Sequence, residues 1–457
     1  MDVPEATLPS GYKGEEQESS GHEPEPAANQ RQSTAALANA EPTAPAAIIP
    51  NTETPACMIL VGVVAVMTVG AVAVAVAWYL LKETLLPTDG ICDALYLDSV
   101  CRSSPCNPRS QWFPTGTTVD FLLVAKAARI GGNKTRMGLA FDAFASQNLS
   151  LFQASDRRKK IVENLWTNYN VSHYASLNVN IRAFSSPARA SIVWYSLTLL
   201  KANIRSHADI KDDYGVVLGV TGTDMKGFRN KVAELINSAK PDITQLIIIS
   251  HTSYANYARS PYNSTNFDPK KCLIAPPLIH NHSGHYNETY HTSLNESSRF
   301  LKFIRNLTFN DTPVFVSVTL KGTWYTPADP VAQNLALFLK CNAFGQTRDA
   351  PPFSLCTTNQ AGTYTYDSDT LSESFVNQSM VYSIDMELSL KSKMCAYKEK
   401  VKDIRFGLAV YDIDADEKYK ACDMIKYNGR YNRLVMLRKL QDFMANYTNR
   451  KDCLAVS

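Results

Sequence analysis

The sequence predicts an α/β protein of the (β/α)8-barrel type on a single-pass transmembrane anchor. Short apolar runs typical of buried strands alternate with longer runs of helical spacing, which is the pattern of βα units around a parallel sheet. The run Ala56–Leu81 contains no charged residue and is long enough to span a bilayer. The 457-residue chain continues for about 375 residues beyond it, which is sufficient for one barrel-sized domain.

The apolar run predicts an uncleaved anchor rather than a signal peptide. As a helix it would extend roughly 39 Å, more than the roughly 30 Å of a hydrocarbon core. A signal peptide has an apolar core of about 7–15 residues near the N-terminus, whereas this run begins after 55 residues. Trp78 and Tyr79 lie at one end of it, where aromatic side chains favour the membrane interface.

The composition of residues 1–55 predicts a disordered cytoplasmic tail, because this segment is rich in Pro, Glu, Ala, Ser and Gln and nearly free of large apolar side chains. They carry nine acids and two bases, a net charge of −7, which leaves +10 on the remainder. That basic excess is dispersed, and its short cluster Arg157–Lys160 is typical of a solvated helix face. We therefore expect no nucleic-acid partner.

The cysteines and sequons of the chain indicate the orientation of the anchor. Lys82 adjoins the run and the nearest upstream base is Arg31, so the charged flanks alone would place the N-terminus outside. Two other signals oppose this: nine of the ten cysteines lie beyond the run, as in an oxidising compartment, and so do all the Asn-x-Ser/Thr sequons. The eleven sequons are at Asn133, Asn148, Asn170, Asn263, Asn281, Asn287, Asn295, Asn306, Asn310, Asn377 and Asn446. We therefore expect a cell-membrane protein in which residues 82–457 form an extracellular glycosylated domain.

The nine cysteines of this domain leave one thiol that is either free or paired between chains. Their spacing constrains the disulfides only loosely. The candidate pairs are Cys341–Cys356, which closes a short loop, Cys395–Cys422, which ties a helix to the loop after the last strand, and Cys101–Cys106.

The expected strands and helices alternate along the domain. The strands are Ile91–Asp98, Arg136–Phe144, Leu177–Phe184, Tyr214–Val220, Gln245–Ser250, Val314–Leu320 and Phe406–Tyr411. The helices are Thr118–Ala128, Asp156–Tyr169, Ala188–Ile204, Asp224–Ala239, Met386–Val401 and Arg430–Ala445. A barrel with insertions and a doubly wound open sheet both fit, although no glycine-rich phosphate turn follows a strand. The polar stretch Ser253–Asn310 predicts a glycan-bearing loop.

The segment Tyr411–Glu417, YDIDADE, is the main candidate for chemistry. Strand alternation would place Asp412, Asp414 and Asp416 on one side, where three carboxylates could bind a hard cation or share protons. The segment is not an EF-hand loop, because Glu417 stands where that loop requires Gly. The alternative is an acidic strand end exposed to water.

Gly407–Glu417, followed by Cys422 and an amphipathic helix, resembles the eighth barrel strand of glycoside hydrolase family 18, the chitinases and chitinase-like lectins. Met380–Ile404 is similar to the helix that leads into that strand, Val314–Tyr325 to the seventh strand, and Ile91–Asp98 to the second. The resemblance, to a divergent chitinase-like membrane protein of arthropod type, implies a barrel that lacks its first strand or is closed by another segment, since about ten residues separate the anchor from Ile91.

The resemblance also implies a ligand site with no catalysis. Its motif D-x-x-D-x-D-x-E, whose Glu is the general acid, occurs nowhere in the chain. We align its strand with Asp213–Thr221, so that Val217 and Gly219 replace aspartates and Thr221 replaces the acid. The ligand-binding candidates are Tyr411, which aligns with the family's sugar-stacking Trp, and Asp412, Asp414, Trp324 and Tyr325.

Four histidines, His280, His282, His285 and His291, have a spacing that could suit zinc or copper. Sequons at Asn281 and Asn287 interrupt the group, so we expect a glycosylated surface loop and neither a metal nor a cofactor. No metalloprotease H-E-x-x-H, no G-x-S-x-G elbow and no phosphate-binding P-loop occurs in the chain, whose only His-Glu pair is His22–Glu23, followed by Pro24 in the tail.

Three functions are compatible with the sequence. The first is a catalytically inactive chitinase-like membrane glycoprotein that binds chitin-like or other glycans, or an extracellular protein. The second is an active glycosidase-like ectoenzyme using Asp412, Asp414 and Asp416, and the third is a purely structural or adhesion ectodomain. Small residues at Ala71/Ala75 and Ala73/Ala77 give the anchor faces that favour a homodimer.

Overall fold

A computed structural model describes residues 86–100, 117–132, 134–141, 155–169, 171–180, 201–202, 204–205, 214–221, 243–251, 273–280, 293–306, 312–329, 335–342, 348–352, 354–357, 361–377, 379–416 and 430–456. All of these belong to the second of two compact units, Thr68–Ser457. The predicted tail and anchor lie outside the described residues. Within the described residues, no helix combines the length and the apolar character needed to cross a membrane.

Seven parallel strands form one sheet in the order β1-β2-β3-β4-β5-β6-β12. They are β1 (Ala94–Val100), β2 (Arg136–Phe141), β3 (His173–Asn180), β4 (Gly215–Thr221), β5 (Gln245–Ile248), β6 (Val314–Thr319) and β12 (Gly407–Tyr411). All seven expected strands are therefore confirmed, with β3 beginning four residues earlier than its predicted start. The strand order never reverses, as it would in a doubly wound sheet, so the arrangement is that of a barrel wall.

The sheet curls around an interior to which every strand contributes. This inner cluster consists of Tyr96, Ala140, Ala175, Leu177, Val217, Ile247, Ile249, Phe315, Ala409 and Tyr411. The alternate residues Val216, Leu218 and Val220 point the other way, into the layer between sheet and helices. Both faces of these strands are covered, which explains why their sequences are almost continuously apolar.

Helices pack on the outer face of this sheet, with one exception. Seven are described: α1 (Thr117–Ile130), α2 (Ser155–Tyr169), α3 (Leu294–Asn306), α4 (Ser354–Thr357), α5 (Glu387–Lys400), α6 (Asn432–Ala445) and α7 (Arg450–Leu454). The exception is α4, whose Leu355 packs in a core of the antiparallel sheet described below. The expected helices α1, α2, α5 and α6 are confirmed. Of the predicted helix Ala188–Ile204 only the end is described, where residues 201–202 and 204 are helical. The predicted helix Asp224–Ala239 lies outside the described residues.

A second sheet, absent from our expectations, lies in the chain between β6 and β12. It is antiparallel, in the order β8-β7-β11-β10-β9. Its strands are β7 (Gly322–Tyr325), β8 (Arg348–Ala350), β9 (Thr363–Asp367), β10 (Ser372–Val376) and β11 (Val381–Ile384). Strands of this length with Ser, Thr and Glu among their residues carry little apolar signal, and β7 pairs with strands far along the chain, as Tyr325 does with Val381.

The expected glycan-bearing loop Ser253–Asn310 is wrong in its last part, because α3 occupies it. The backbone N–H of Glu296 donates to Ser293 Oγ at 3.2 Å, as at a capped helix start. Phe300, Leu301 and Ile304 are almost fully buried against the sheet. Helical spacing of these few apolar residues outweighs the polar composition that suggested a loop.

The described sheet is open between β1 and β12. No described strand pairs with the free edge of either, and all five residues of β12 are half-buried. The two ends are nevertheless linked, because Arg438 Nη1 on α6 lies 2.8 Å from Asp93 Oδ1, just before β1. The opening between β1 and β12 is where the first strand would lie in the family that the sequence resembles.

The disulfide expected between Cys395 and Cys422 is wrong: Cys395 on α5 is bonded to Cys453 on α7. The short helix α7 packs directly on α5, so Cys453 is the thiol within reach. Cys341 also forms a disulfide, with a partner outside the described side chains, so its pairing with Cys356 stays a prediction. Cys92 is a free thiol in the described part, and burial raises its pKa to about 11, with a further contribution from Asp93.

A buried ionic network joins the two sheets. Arg433 on α6 is fully buried and contacts Asp416 at 2.8 Å, and its two terminal nitrogens donate to the carbonyl oxygens of Asp385 at 3.0 Å and Leu320 at 2.7 Å. The carboxylate of Asp385 accepts hydrogen bonds from Lys393 Nζ and, at 3.0 Å, from the N–H of Leu278. Every charge in this network is therefore paired, as burial requires.

We predict that Arg433→Leu lowers the free energy of unfolding by about 3–5 kcal/mol, because Asp416 would remain as an uncompensated buried charge. The matched control is Arg438→Leu on the same helix, whose ion-pair partner Asp93 is 84% exposed. That change should cost about 1 kcal/mol or less. Thermal unfolding of both full-length variants measures the difference. Equal destabilisation by the two would contradict the assigned role of the network.

Candidate functional site

The candidate site lies at the carboxyl ends of β5, β6 and β12, the end at which barrels of this type place their functional groups. Ser250 and His251 follow β5, Ser317 and Thr319 lie on β6, and Asp412 follows β12. The segments that follow β2, β3 and β4 lie largely outside the described residues. The described part of the site is therefore its β5–β6–β12 side.

A buried pair of polar side chains forms the floor of this site. His251 Nδ1 is within hydrogen-bonding distance of Ser317 Oγ, at 2.7 Å. The same hydroxyl oxygen accepts a hydrogen bond from the backbone N–H of Ser250 at 2.8 Å. His251 is 3% and Ser317 0% exposed. Burial, together with Lys321, lowers the pKa of His251 to about 4, although Asp412 acts in the opposite direction. The imidazole is therefore neutral at physiological pH and serves as a hydrogen-bonding group.

Tyr411 ties the last strand to the opposite side of the barrel. Its hydroxyl donates to the carbonyl oxygen of Leu177 on β3 at 2.9 Å, and its ring centroid lies 4.6 Å from that of His251. Burial, with Asp98 and Asp412, raises the pKa of Tyr411 well above its usual value. Tyr411 as a whole is half-buried, and it braces the last strand against the inner cluster.

Asp412 is the accessible charged group of the site. Its φ of 55° lies in the left-handed region, which Asp tolerates better than most side chains. Thr319 Oγ1 donates to its carboxylate, and Lys321 Nζ lies 3.4 Å from the other oxygen. The same ammonium lies 3.3 Å from Asp349 of the antiparallel sheet. Burial opposes the charge on Lys321, but Asp412 and Asp349 outweigh this effect and raise the pKa of Lys321.

The expectation that Asp412, Asp414 and Asp416 share one face is wrong. The strand ends at Tyr411, the backbone turns at Asp412, and Ile413–Asp416 form a 3-10 helix, so strand alternation no longer applies. Asp414 is exposed, and Asp416 is fully buried against Arg433. In the described part of the chain, no group of three His, Cys, Asp or Glu side chains is placed to hold a metal ion.

Two other candidates lie inside the protein rather than at the mouth. Trp324 is 2% exposed and packs against Tyr382, with ring centroids 4.9 Å apart, and edge-on against Phe375. Tyr325, 1% exposed, belongs to a separate core cluster that includes Val381. Strand alternation in β7 directs the two aromatics into the cores on opposite faces of the antiparallel sheet.

The alignment of Asp213–Thr221 with the family's fourth strand is wrong by one strand. If β12 is the eighth strand, β4 is the fifth and β3 is the fourth. Gly219 also has no room for a side chain, since an added Cβ would overlap the carbonyl oxygen of Leu177. The strand count was available from the sequence, because Ile91–Asp98 resembles the second strand.

On β3 the spacing D-x-x-D-x-D-x-E falls on Ala175, Asn178, Asn180 and Arg182. Ala175 is 1% exposed and belongs to the inner cluster. The side chains of Asn178 and Asn180, Arg182 and the side chain of Thr221 lie outside the described part. At this spacing the sequence therefore has an alanine, two amides and a guanidinium, and no carboxylate.

The histidine and sequon predictions are only partly covered by the structure. His280 is 6% exposed, so the surface loop expected there is wrong for this residue, while His282, His285 and His291 lie outside the described residues. Four of the eleven sequon asparagines are described: Asn306 and Asn446 are exposed, whereas Asn295 and Asn377 are half-buried.

We predict that His251 makes stability pH-dependent in the acid range. Its folded pKa is about 4 against an ordinary 6.5, so between these values only the unfolded chain takes up the proton. The contribution of His251 to stability is complete above pH 6.5 and is lost as pH falls to 4, by about 3 kcal/mol in all. His251→Gln should therefore show a shallower fall in unfolding free energy over this range. His22→Gln, in the predicted tail, is the control, and equal slopes for wild type and His251→Gln would refute the prediction.

Comparison with known proteins identifies the fold. No protein-family model and no curated protein sequence matches the chain. Among solved structures, the chitinase-like agglutinin of Robinia pseudoacacia is 13% identical with a TM-score of 0.50, over 76% of this chain and 92% of that one. The group IV chitinase of Ostrinia furnacalis in complex with allosamidin is 12% identical with a TM-score of 0.52, over 79% and 92%. The family 18 chitinase of Cycas revoluta in complex with (GlcNAc)3 is 11% identical with a TM-score of 0.50, over 76% and 92%. At these identities the similarity shows the fold alone, so the chain has a chitinase-like (β/α)-barrel fold.

Proposed function

We propose that this chain is a non-catalytic, chitinase-like membrane glycoprotein that binds a glycan at the carboxyl end of its barrel. The observation that carries the proposal is the fourth strand. Where the resembling family has Asp, Asp, Asp and Glu, this chain has Ala175, Asn178, Asn180 and Arg182. A general acid must hold and release a proton near neutral pH, and neither an amide nor a guanidinium does so.

The remaining carboxylates support binding better than hydrolysis. Most glycosidases need two free carboxyl groups, and even the substrate-assisted mechanism of family 18 needs one that is free to act as the general acid. Asp416 is committed to Arg433 in the core, and Asp412 and Asp349 both contact the ammonium of Lys321. Either carboxylate could act on a substrate only if that ion cluster opened. The active-ectoenzyme alternative therefore depends on this opening or on Asp414, which is exposed.

The mouth offers the chemistry that glycan binding requires. The side chains of Asp412 and Lys321 are 30% and 18% exposed, and they provide acceptors and donors at the ends of rigid strands. The ring of Tyr411 lies beside them and could stack against an apolar sugar face. The similar Cycas revoluta chitinase is in complex with (GlcNAc)3, which suggests the chitin oligosaccharides as the first ligands to test.

We predict that the full-length chain in detergent micelles binds fluorescent (GlcNAc)4 saturably without hydrolysing a fluorogenic chitooligosaccharide. Asp412→Asn should weaken binding about tenfold or more, since it removes a charged hydrogen-bonding group from the site. Asp414→Asn is the matched control, because Asp414 is exposed two residues along the chain. Fluorescence anisotropy and the release of the fluorophore measure the two properties.

Each outcome of this assay has a distinct meaning. Turnover that is lost in Asp412→Asn would replace the proposal with the active-ectoenzyme alternative. If neither binding nor turnover occurs with a panel of glycans, a protein ligand or a structural, adhesive ectodomain becomes the better account. Equal weakening by Asp412→Asn and Asp414→Asn would show that general charge, and not the geometry around Asp412, determines binding.

Membrane anchoring forms a separate part of the proposal. Ala56–Leu81 would span the membrane with residues 1–55 in the cytoplasm and residues 82–457 outside. The disulfide Cys395–Cys453 and the exposed sequon residues Asn306 and Asn446 support an oxidising, glycan-adding compartment. A homodimer through the small-residue faces of the anchor would be compatible with this topology.

We predict that peptide N-glycosidase treatment increases the gel mobility of the full-length protein from cells. Asn306→Gln and Asn446→Gln should each remove one glycan, whereas Asn432→Gln, which lies outside any sequon, should remove none. Protease added to intact cells should remove a C-terminal epitope tag and spare an N-terminal one. An unchanged mobility, or loss of the N-terminal tag instead, would refute the topology.

A further inference from the structure

An exposed apolar face lies on α1, the helix that follows the first strand of the barrel wall. Ile130, the last residue of α1, is 71% exposed and Leu123 is 52% exposed, more than any other large apolar side chain of the described residues. Seven residues make close to two turns, so both side chains project from one side of the helix, about 10 Å apart along its axis. Ala125 and Ala128, on the opposite side, are buried. We call Leu123 and Ile130 the apolar face of α1.

The composition of α1 makes this exposure unusual. Helices at the surface of a globular protein normally turn charged and polar side chains to water. Only three of the 14 residues of α1, TTVDFLLVAKAARI, are charged. A helix that is apolar on nearly all sides is normally buried on all sides. We therefore expect the apolar face to be covered by an apolar partner.

The apolar face lies at the end of the barrel from which the chain leads back to the predicted anchor. The carboxylate of Asp89 accepts hydrogen bonds from the backbone N–H groups of Lys134, at 3.0 Å, and Thr135, at 2.9 Å. The N–H of Gly90 donates to Thr135 Oγ1 at 2.9 Å. These bonds fix the segment before β1 to the loop that begins directly after Ile130. Both lie at the amino end of the wall, since β1 and β2 start there.

The length of chain before this segment limits how far the amino end can lie from the anchor. Eight residues separate Leu81, the last residue of the apolar run, from Asp89. Fully extended, they span at most about 29 Å. If the apolar run spans a bilayer, the amino end of the barrel is tethered close to that bilayer, and the exposed tip of α1 with it.

The residues next to Ile130 suit a lipid surface. Gly131 and Gly132 are exposed and carry no side chain that would hold Ile130 away from a flat surface, and Lys134 and Arg136 are exposed just beyond them. Long basic side chains keep their charged ends at the level of lipid phosphates while neighbouring apolar side chains enter the acyl boundary. Apolar residues bordered by bases are typical of segments that lie in the membrane interface.

We propose that the apolar face of α1 enters the interface of the bilayer that anchors the same chain. This inference rests on the membrane anchoring proposed above and deepens it, because it assigns the side of the domain that meets lipid. Ile130 inserts at the acyl boundary and Leu123 lies nearer the headgroups. The mouth of the barrel, at the opposite ends of the strands, then points away from the membrane and stays open to a ligand from outside.

The test uses the full-length protein in phosphatidylcholine nanodiscs, with the photocrosslinking residue p-benzoylphenylalanine in place of Ile130 or Leu123. The control replaces Leu388, an apolar side chain that is 48% exposed at the start of α5. Because α5 leads back to the first residue of β12, its own first turn lies at the mouth end. After illumination, mass spectrometry should find about tenfold more phospholipid adduct at Ile130 than at Leu388, with Leu123 between them, since only a side chain in the interface meets acyl chains.

The outcomes separate this inference from the anchoring on which it rests. A protein that does not enter nanodiscs would contradict the anchoring and the inference together. A protein that enters them but gives equal lipid adducts at Ile130 and Leu388 would overturn the inference alone. Adducts between Ile130 and a second copy of the chain, in place of phospholipid, would also overturn it and assign the apolar face to a protein interface. Melting curves of the three variants show whether each is folded.

The sequon at Asn133 provides a second test. A glycan three residues from Ile130 would hold the apolar face away from lipid, so the inference requires Asn133 to be unmodified in the protein from cells. Enzymatic deglycosylation in heavy-oxygen water converts each glycosylated Asn into a labelled Asp, which peptide mass spectrometry detects. Asn133 should stay unlabelled while Asn306, exposed at the end of α3, becomes labelled. Full occupancy of Asn133 would refute the lipid contact.

Discussion

The relation between the two sheets depends on the guanidinium of Arg433. Its nitrogens bond the side chain of Asp416 and the carbonyl oxygens of Asp385 and Leu320, which belong to three different connections of the chain. A buried cation is tolerated only when its donors are satisfied together, so these three connections have to occupy one arrangement. Leu320 follows β6 directly and Asp416 ends the turn after β12. The interaction therefore fixes the ends of the two strands that carry the accessible polar groups of the mouth.

The same constraint explains why neighbouring carboxylates have different roles. Asp416 must reach the core to neutralise Arg433, so the chain after Tyr411 tightens into a 3-10 helix instead of continuing as a strand. Asp412 consequently adopts a left-handed conformation and its carboxylate meets Thr319 and Lys321. The intermediate Asp414 turns to solvent. Three carboxylates that are close in sequence therefore have three different roles. Asp416 pairs with Arg433 in the core, Asp412 lies at the mouth of the barrel, and Asp414 is exposed to solvent.

The sequence predicted the barrel wall well because its strands are buried on both faces and therefore stand out as apolar runs, such as Tyr214–Val220. It did not predict the antiparallel sheet, because Thr363–Asp367 alternates Thr with Tyr and Ser372–Val376 contains Ser and Glu, so neither strand stands out as an apolar run even though the two are adjacent in the chain. The site shows the same limit. Asp412 was found from a local motif, whereas His251, Ser317 and Lys321 are ordinary residues in sequence that only strand pairing brings together.

The inner cluster also holds β3 in place within the barrel. Tyr411 on the last strand reaches across to the backbone of Leu177 on β3, two residues after Ala175. This bond makes β3 part of the support for the barrel interior whatever its own side chains do. Ala175, on the same strand, packs into the apolar cluster, where its methyl group carries no electrostatic cost. What remains available for function is the rim, where Lys321 and Asp412 are held in place by Thr319 and Asp349 and still face solvent.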